Sequence, residues 1–120
     1  MYKEIMTELL NRLEACGVDV SEGVERLMKS ESMYIKYLGM FLEDTNMQEL
    51  EEAYAKGDIS EMFLKAHALK SLSGNLSLTC IYERLKIIVE ILRKQDMPQD
   101  AQMQELFLDY RKIKDAYYRN

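Results

Sequence analysis

Apolar residues recur three and four positions apart along most of this chain, the period of a helix with one buried face. Ile5, Met6, Leu9, Leu10 and Leu13 define a first helix over Lys3–Cys16, and Gly17 stops it. Ser21 suits the N-cap of a short helix through Val24, Leu27 and Met28. Ser30 caps the next segment, where Tyr34, Tyr37, Leu38, Phe41 and Leu42 share a face. Thr45-Asn46 bends that helix, and the pattern resumes through Met47, Leu50, Tyr54 and Ala55. Gly57 then offers a left-handed stop and Asp58 a cap for a helix over Ile59–Leu76. A turn near Ser77 to Thr79 leads into a strongly apolar helix, Ile81–Arg93. Gln95-Asp96-Met97 ends it, and Pro98 suits the first turn of a last helix. That helix carries Met103, Leu106, Phe107, Tyr110, Ile113 and Tyr117 on one face. Four long helices with short connections predict an all-α antiparallel bundle.

Composition sharpens this without redirecting it. A chain of 120 residues argues for one domain, residues 1–120, large enough to bury a core without disulfide or metal staples. Leucine, methionine, glutamate and lysine dominate, there is one proline, and all four dominant types favour helices. A net charge of -5 disfavours nucleic acid and anionic membrane surfaces. Cys16 and Cys80 lack metal-type spacing and sit in apolar helical patterns, as reduced packing residues do. No signal-peptide core and no membrane-length apolar run is visible, so the expectation is a cytoplasmic monomer with no membrane partner.

The candidate chemistry lies in the segment Ile59–Leu76, which holds the only histidine. On a helical wheel of about 100° per residue, Met62, Ala66, Leu69, Ser73 and Leu76 form the buried stripe. His67 falls on the flank with Phe63, Lys70, Ser71 and Gly74. Imidazole has a reference pKa of about 6.5, so it is largely an unprotonated nucleophile near neutrality. Phosphoryl transfer needs mainly in-line positioning and charge neutralisation. Lys70, one turn on, offers a flexible point charge, and Ser71 offers a hydrogen-bond donor. Gly74 leaves a bare patch for close approach, and Phe63 with Leu64 offers an apolar rim for docking. Taken singly, each has a plainer reading: an inert surface histidine, a solvated lysine, a glycine relieving helix–helix crowding. Spacing alone leaves the function open.

The run Ala66-His67-Ala68-Leu69-Lys70-Ser71-Leu72-Ser73-Gly74-Asn75-Leu76 closely resembles the signature of histidine-containing phosphotransfer (HPt) domains. Upstream, Gly17 to Arg26 resembles the family's N-terminal turn and short helix. Tyr34, Leu38, Phe41 and Leu42 match its first long helix, and Lys56-Gly57-Asp58 the connection into the histidine helix. The resemblance therefore runs from about residue 17 to the end, with residues 1–16 an N-terminal helical extension and 17–120 an HPt-like core. It implies a four-helix bundle of HPt type with additional short N-terminal helices. It also implies His67 as phosphoacceptor, Lys70 as the phosphate-facing cation, and Phe63, Leu64, Ser71 and Gly74 as a docking surface. The partners implied are receiver domains of response regulators and hybrid histidine kinases. The resemblance implies a phosphoryl carrier without kinase activity, metal site or cofactor of its own, any Mg²⁺ being the receiver's. The competing reading is a helical docking protein that binds and sequesters a receiver without chemistry.

Three positions depart from the family pattern. Ser71 replaces a glycine after the lysine, and Ser77 replaces one at the helix boundary. Many members also carry a glutamate or glutamine on the next helix that hydrogen-bonds the imidazole. Val89 stands there, with Glu90 beside it, so the resemblance supplies no polar partner to orient His67.

Overall fold

Seven helices and no strands make up the computed structural model, which describes residues 1–119. They are α1 (Tyr2–Ala15), α2 (Val20–Arg26), α3 (Glu31–Glu43), α4 (Asn46–Lys56), α5 (Ile59–Asn75), α6 (Thr79–Arg93) and α7 (Asp100–Tyr118). Local capping explains several boundaries. Ser30 Oγ accepts from the Met33 amide at 3.2 Å and Asp58 Oδ1 from the Glu61 amide at 3.1 Å, as their positions predict. Gly57 ends α4 at φ +68°, the left-handed stop expected of it.

Other boundaries differ from the sequence expectation. Asp19, not Ser21, caps α2: its Oδ1 accepts from the Glu22 amide at 3.1 Å, and Ser21 lies inside the first turn. The segment expected as one bent helix is two. Asp44 leaves the helix with extended backbone, its Oδ1 accepts from the Asn46 amide, and α4 begins afresh. Thr79 rather than Ile81 opens α6. Pro98 precedes the helix instead of sitting in its first turn, because Gln99 and Gln102 exchange side-chain and backbone hydrogen bonds as a capping box.

Antiparallel pairing follows from which residues meet. On α5 and α6, Phe63 meets Arg93 and Gly74 meets Tyr82. On α3 and α7, Phe41 packs edge-on against Tyr110, whose hydroxyl donates to the Leu42 carbonyl, and the Tyr117 hydroxyl donates to the Ile35 carbonyl. The α3–α4 arm, α5, α6 and α7 thus form the bundle. The core holds Met62, Ala66 and Leu69 from α5, Leu85, Ile88 and Val89 from α6, and Met103, Leu106 and Ile113 from α7. Burying a leucine- or methionine-sized side chain contributes about 1.5–3 kcal/mol, so this shared interior orients α5 firmly.

Outside it, α1 lies along α7, with Arg12 Nε donating to the Ala116 carbonyl at 3.0 Å. The segment leading into α2 is tied to the α5–α6 turn. The Asp19 amide donates to the Ser77 carbonyl at 2.9 Å, and the Cys80 amide to the Gly17 carbonyl at 3.1 Å. Cys16 and Cys80 are free thiols, both half-buried. No helix of the described residues is long and apolar enough to cross a membrane.

Candidate functional site

The five stripe residues predicted for α5, Met62, Ala66, Leu69, Ser73 and Leu76, are all buried. Ser73 is accommodated because its hydroxyl donates to the Lys70 carbonyl at 3.0 Å. With that face fixed inward, His67 is exposed, Ser71 is exposed, and Lys70 and Gly74 are half-buried on the flank that meets α6.

His67, Lys70, Ser71 and Gly74 line one side of an open groove of about 740 Å³. Tyr82 and Glu83 of α6 stand across from them. Asp19, Glu22 and Arg26, from the segment that leads into and forms α2, also line it. None of these five residues is marked by the sequence as a site residue, since each lies outside α5 and reaches the groove only through tertiary packing.

Gly74 is bare toward α6, and the Tyr82 ring fills the space. A Cβ on Gly74 would lie 3.1 Å from two ring carbons. The gap is therefore occupied from within the chain by an edge of the Tyr82 ring, which lines the same groove as Lys70.

The two lysines of this stretch differ in what holds them. Lys65 bonds Glu49 at 2.7 Å and Glu61 at 3.6 Å. Lys70 has no salt-bridge partner among the described residues, which leaves its charge available in the groove. The acidic end is more occupied. Glu22 Oε1 accepts from the Ser77 hydroxyl at 2.7 Å and pairs with Arg26 at 3.4 Å, while Asp19 caps α2. Ser77 itself takes φ +55°, the left-handed conformation that a glycine would adopt without strain.

Phe63 and Leu64 lie outside this groove, in a neighbouring one with Ile59, Leu92 and Arg93. Leu64 is 61 % exposed. Phe63 connects the two: its ring centroid lies 5.7 Å from that of His67, and the Arg93 guanidinium lies 5.2 Å from it on the α6 side. Val89 is fully buried and has no polar side-chain atom, while Glu90 directs its carboxylate to Arg93 at 3.3 Å. Among the described residues, no group of three or more His, Cys, Asp or Glu is placed to hold a metal ion.

A solvent-facing nucleophile, an unpaired cation one turn away and an open approach together suit transfer of an anionic group to and from a docked partner. Among known protein families, the model described as Hpt domain matches residues 36–118, more than half of the chain. The match spans α4 to α7 with most of α3, and begins after α1 and α2. No significant match was found among curated proteins or among solved structures.

Proposed function

Because the chain belongs to the Hpt domain family, and so relays phosphoryl groups between receiver domains as a carrier without kinase activity, we propose that His67 is its phosphoacceptor and Lys70 the cation that steadies the phosphoryl group. The observation that carries this is the exposure of His67, the chain's single histidine, in a groove beside an unpaired lysine on a helix otherwise locked by its buried stripe.

The step needs little machinery. An unprotonated imidazole nitrogen attacks the phosphorus of a receiver's aspartyl phosphate. A P–N bond forms as the P–O bond breaks, and the aspartate leaves as carboxylate while the second ring nitrogen keeps its proton. Transfer onward is the reverse reaction with a different receiver. Lys70 balances negative charge on the three phosphoryl oxygens, and Ser71 lies within a turn to donate a hydrogen bond. Phe63, Leu64, Ser71 and Gly74 supply the surface on which the receiver docks. The donor is a receiver of a hybrid sensor kinase, the acceptor that of a separate response regulator, and the setting the cytoplasm, with the carrier acting as a monomer.

Incubation with a phosphorylated receiver domain labels the wild-type chain and leaves His67→Gln unlabelled. Label that survives this substitution places the acceptor elsewhere. Tight receiver binding with no transfer in either direction would favour the docking protein instead.

A further inference from the structure

A nucleophilic ring on an exposed helix flank has two side-chain torsions to lose, and the second is broad, so something must hold the ring if attack is to be in line. No side-chain hydrogen bond among the described residues reaches the His67 imidazole. Across the α5–α6 seam stand Val89, apolar and sealed in the core, and Glu90, bonded to Arg93. What does meet the imidazole is Phe63, one turn earlier on the same helix, at 5.7 Å between centroids and 34° between ring planes. Phe63 is itself held. It is half-buried, packs against the core, and carries the Arg93 guanidinium at 5.2 Å, within cation–π range. Glu90 in turn holds Arg93.

We propose that Phe63 is the positioning residue for His67, fixing the plane of the imidazole by ring packing where a hydrogen bond is lacking, with Arg93 and Glu90 bracing Phe63 from α6. This rests on His67 being the phosphoacceptor. Packing constrains the ring plane without selecting a nitrogen. Phe63 thus acts on every phosphodonor, large or small, and not only on one that docks.

That property supplies the test. Full-length wild type, Phe63→Ala, Phe63→Tyr and Arg93→Ala are phosphorylated with phosphoramidate, a donor too small to dock, and separately with a phosphorylated receiver domain. With phosphoramidate, a P–N bond forms to the imidazole as the donor's own P–N bond breaks and ammonia leaves. Phe63→Ala should lose about tenfold in rate with phosphoramidate, the scale expected for modest misplacement of a reacting group, and at least as much with the receiver, whose docking contact is lost as well. Phe63→Tyr, which keeps the ring, should recover most of that loss with phosphoramidate, the donor that does not dock. Arg93→Ala should lose about threefold with both donors, and this exposed site keeps the test open should Phe63→Ala not fold. In NMR spectra the imidazole carbon-bound protons should lose a ring-current shift in Phe63→Ala and keep it in Phe63→Tyr. A loss confined to the receiver-driven reaction makes Phe63 a docking contact only and overturns the proposal, as does an unchanged imidazole signal. If the wild type is labelled by neither donor, or is labelled away from His67, the phosphoacceptor assignment itself has failed.

Discussion

The Tyr82 ring rests where a side chain on Gly74 would be, 3.1 Å from the position of the missing Cβ. This one contact ties the composition of the histidine helix to the shape of the groove beside it. It also decides what Gly74→Ala should do. Alanine in a helix gains about 1 kcal/mol over glycine. A contact at that distance, against a rigid ring edge, gives most of it back. Stability should therefore change by less than about 1 kcal/mol in urea denaturation. The displaced ring should narrow the groove and slow receiver-driven transfer, whereas phosphoramidate labelling should be nearly unaffected.

Lys70 and Lys65 separate charge from chemistry. Lys70→Ala should slow transfer by roughly tenfold to a hundredfold, less than loss of an enclosed oxyanion donor because solvent screens the open groove. Lys70→Arg should restore part of the rate. Unfolding midpoints of both should match wild type, since Lys70 forms no ion pair among the described residues.

Glu49 and Lys65 predict a pH signature of stability. The Lys65 ammonium, with help from the Thr45 hydroxyl, holds the Glu49 carboxyl below its usual range, and Glu49 raises Lys65 in return. A lowered carboxyl pKa stabilises the fold above the unfolded value, and this is lost as pH falls through the folded one. A raised lysine pKa stabilises below its unfolded value, and this is lost as pH climbs through the folded one. The difference in stability between wild type and Glu49→Gln should accordingly be greatest near neutrality and vanish at both extremes. Urea titrations across pH check this, and added salt should shrink the neutral difference because both groups meet solvent.

Ser77 carries opposing contributions that two substitutions pull apart. A non-glycine residue at φ +55° costs about 1–3 kcal/mol. The 2.7 Å bond from its hydroxyl to Glu22 offsets this by a similar amount, about 1.5–3 kcal/mol for a charged acceptor. Ser77→Gly, which loses both, should be near neutral in thermal denaturation. Ser77→Ala keeps the strain, loses the bond, and should be destabilised by about 1.5–3 kcal/mol.

What the sequence made legible was local along the chain. The stripe Met62, Ala66, Leu69, Ser73 and Leu76, the exposure of His67, and the caps at Ser30 and Asp58 all follow from spacing within one helix, and all are present. Misreadings arose where two local options competed. Asp19 displaced Ser21 as a cap because its backbone is already fastened to Ser77, and the Gln99–Gln102 box began α7 after Pro98. The groove's far side was not legible at all. Tyr82 opposes Gly74, and Arg93 opposes Phe63, only because α5 and α6 pair in one antiparallel register. That register is set by core packing, not by neighbours in sequence.

The fastening of residues 17–22 to the α5–α6 turn has a consequence for substitution. Asp19, Glu22 and Arg26 stand at the end of the histidine's groove, yet they lie upstream of the segment that matches the family. Substitutions at this lip can thus change the charge at the groove's end while the helix that carries His67 stays unchanged. Conversely, an exchange of the first thirty-five residues for another sequence would carry that lip with it and leave the histidine helix as it is.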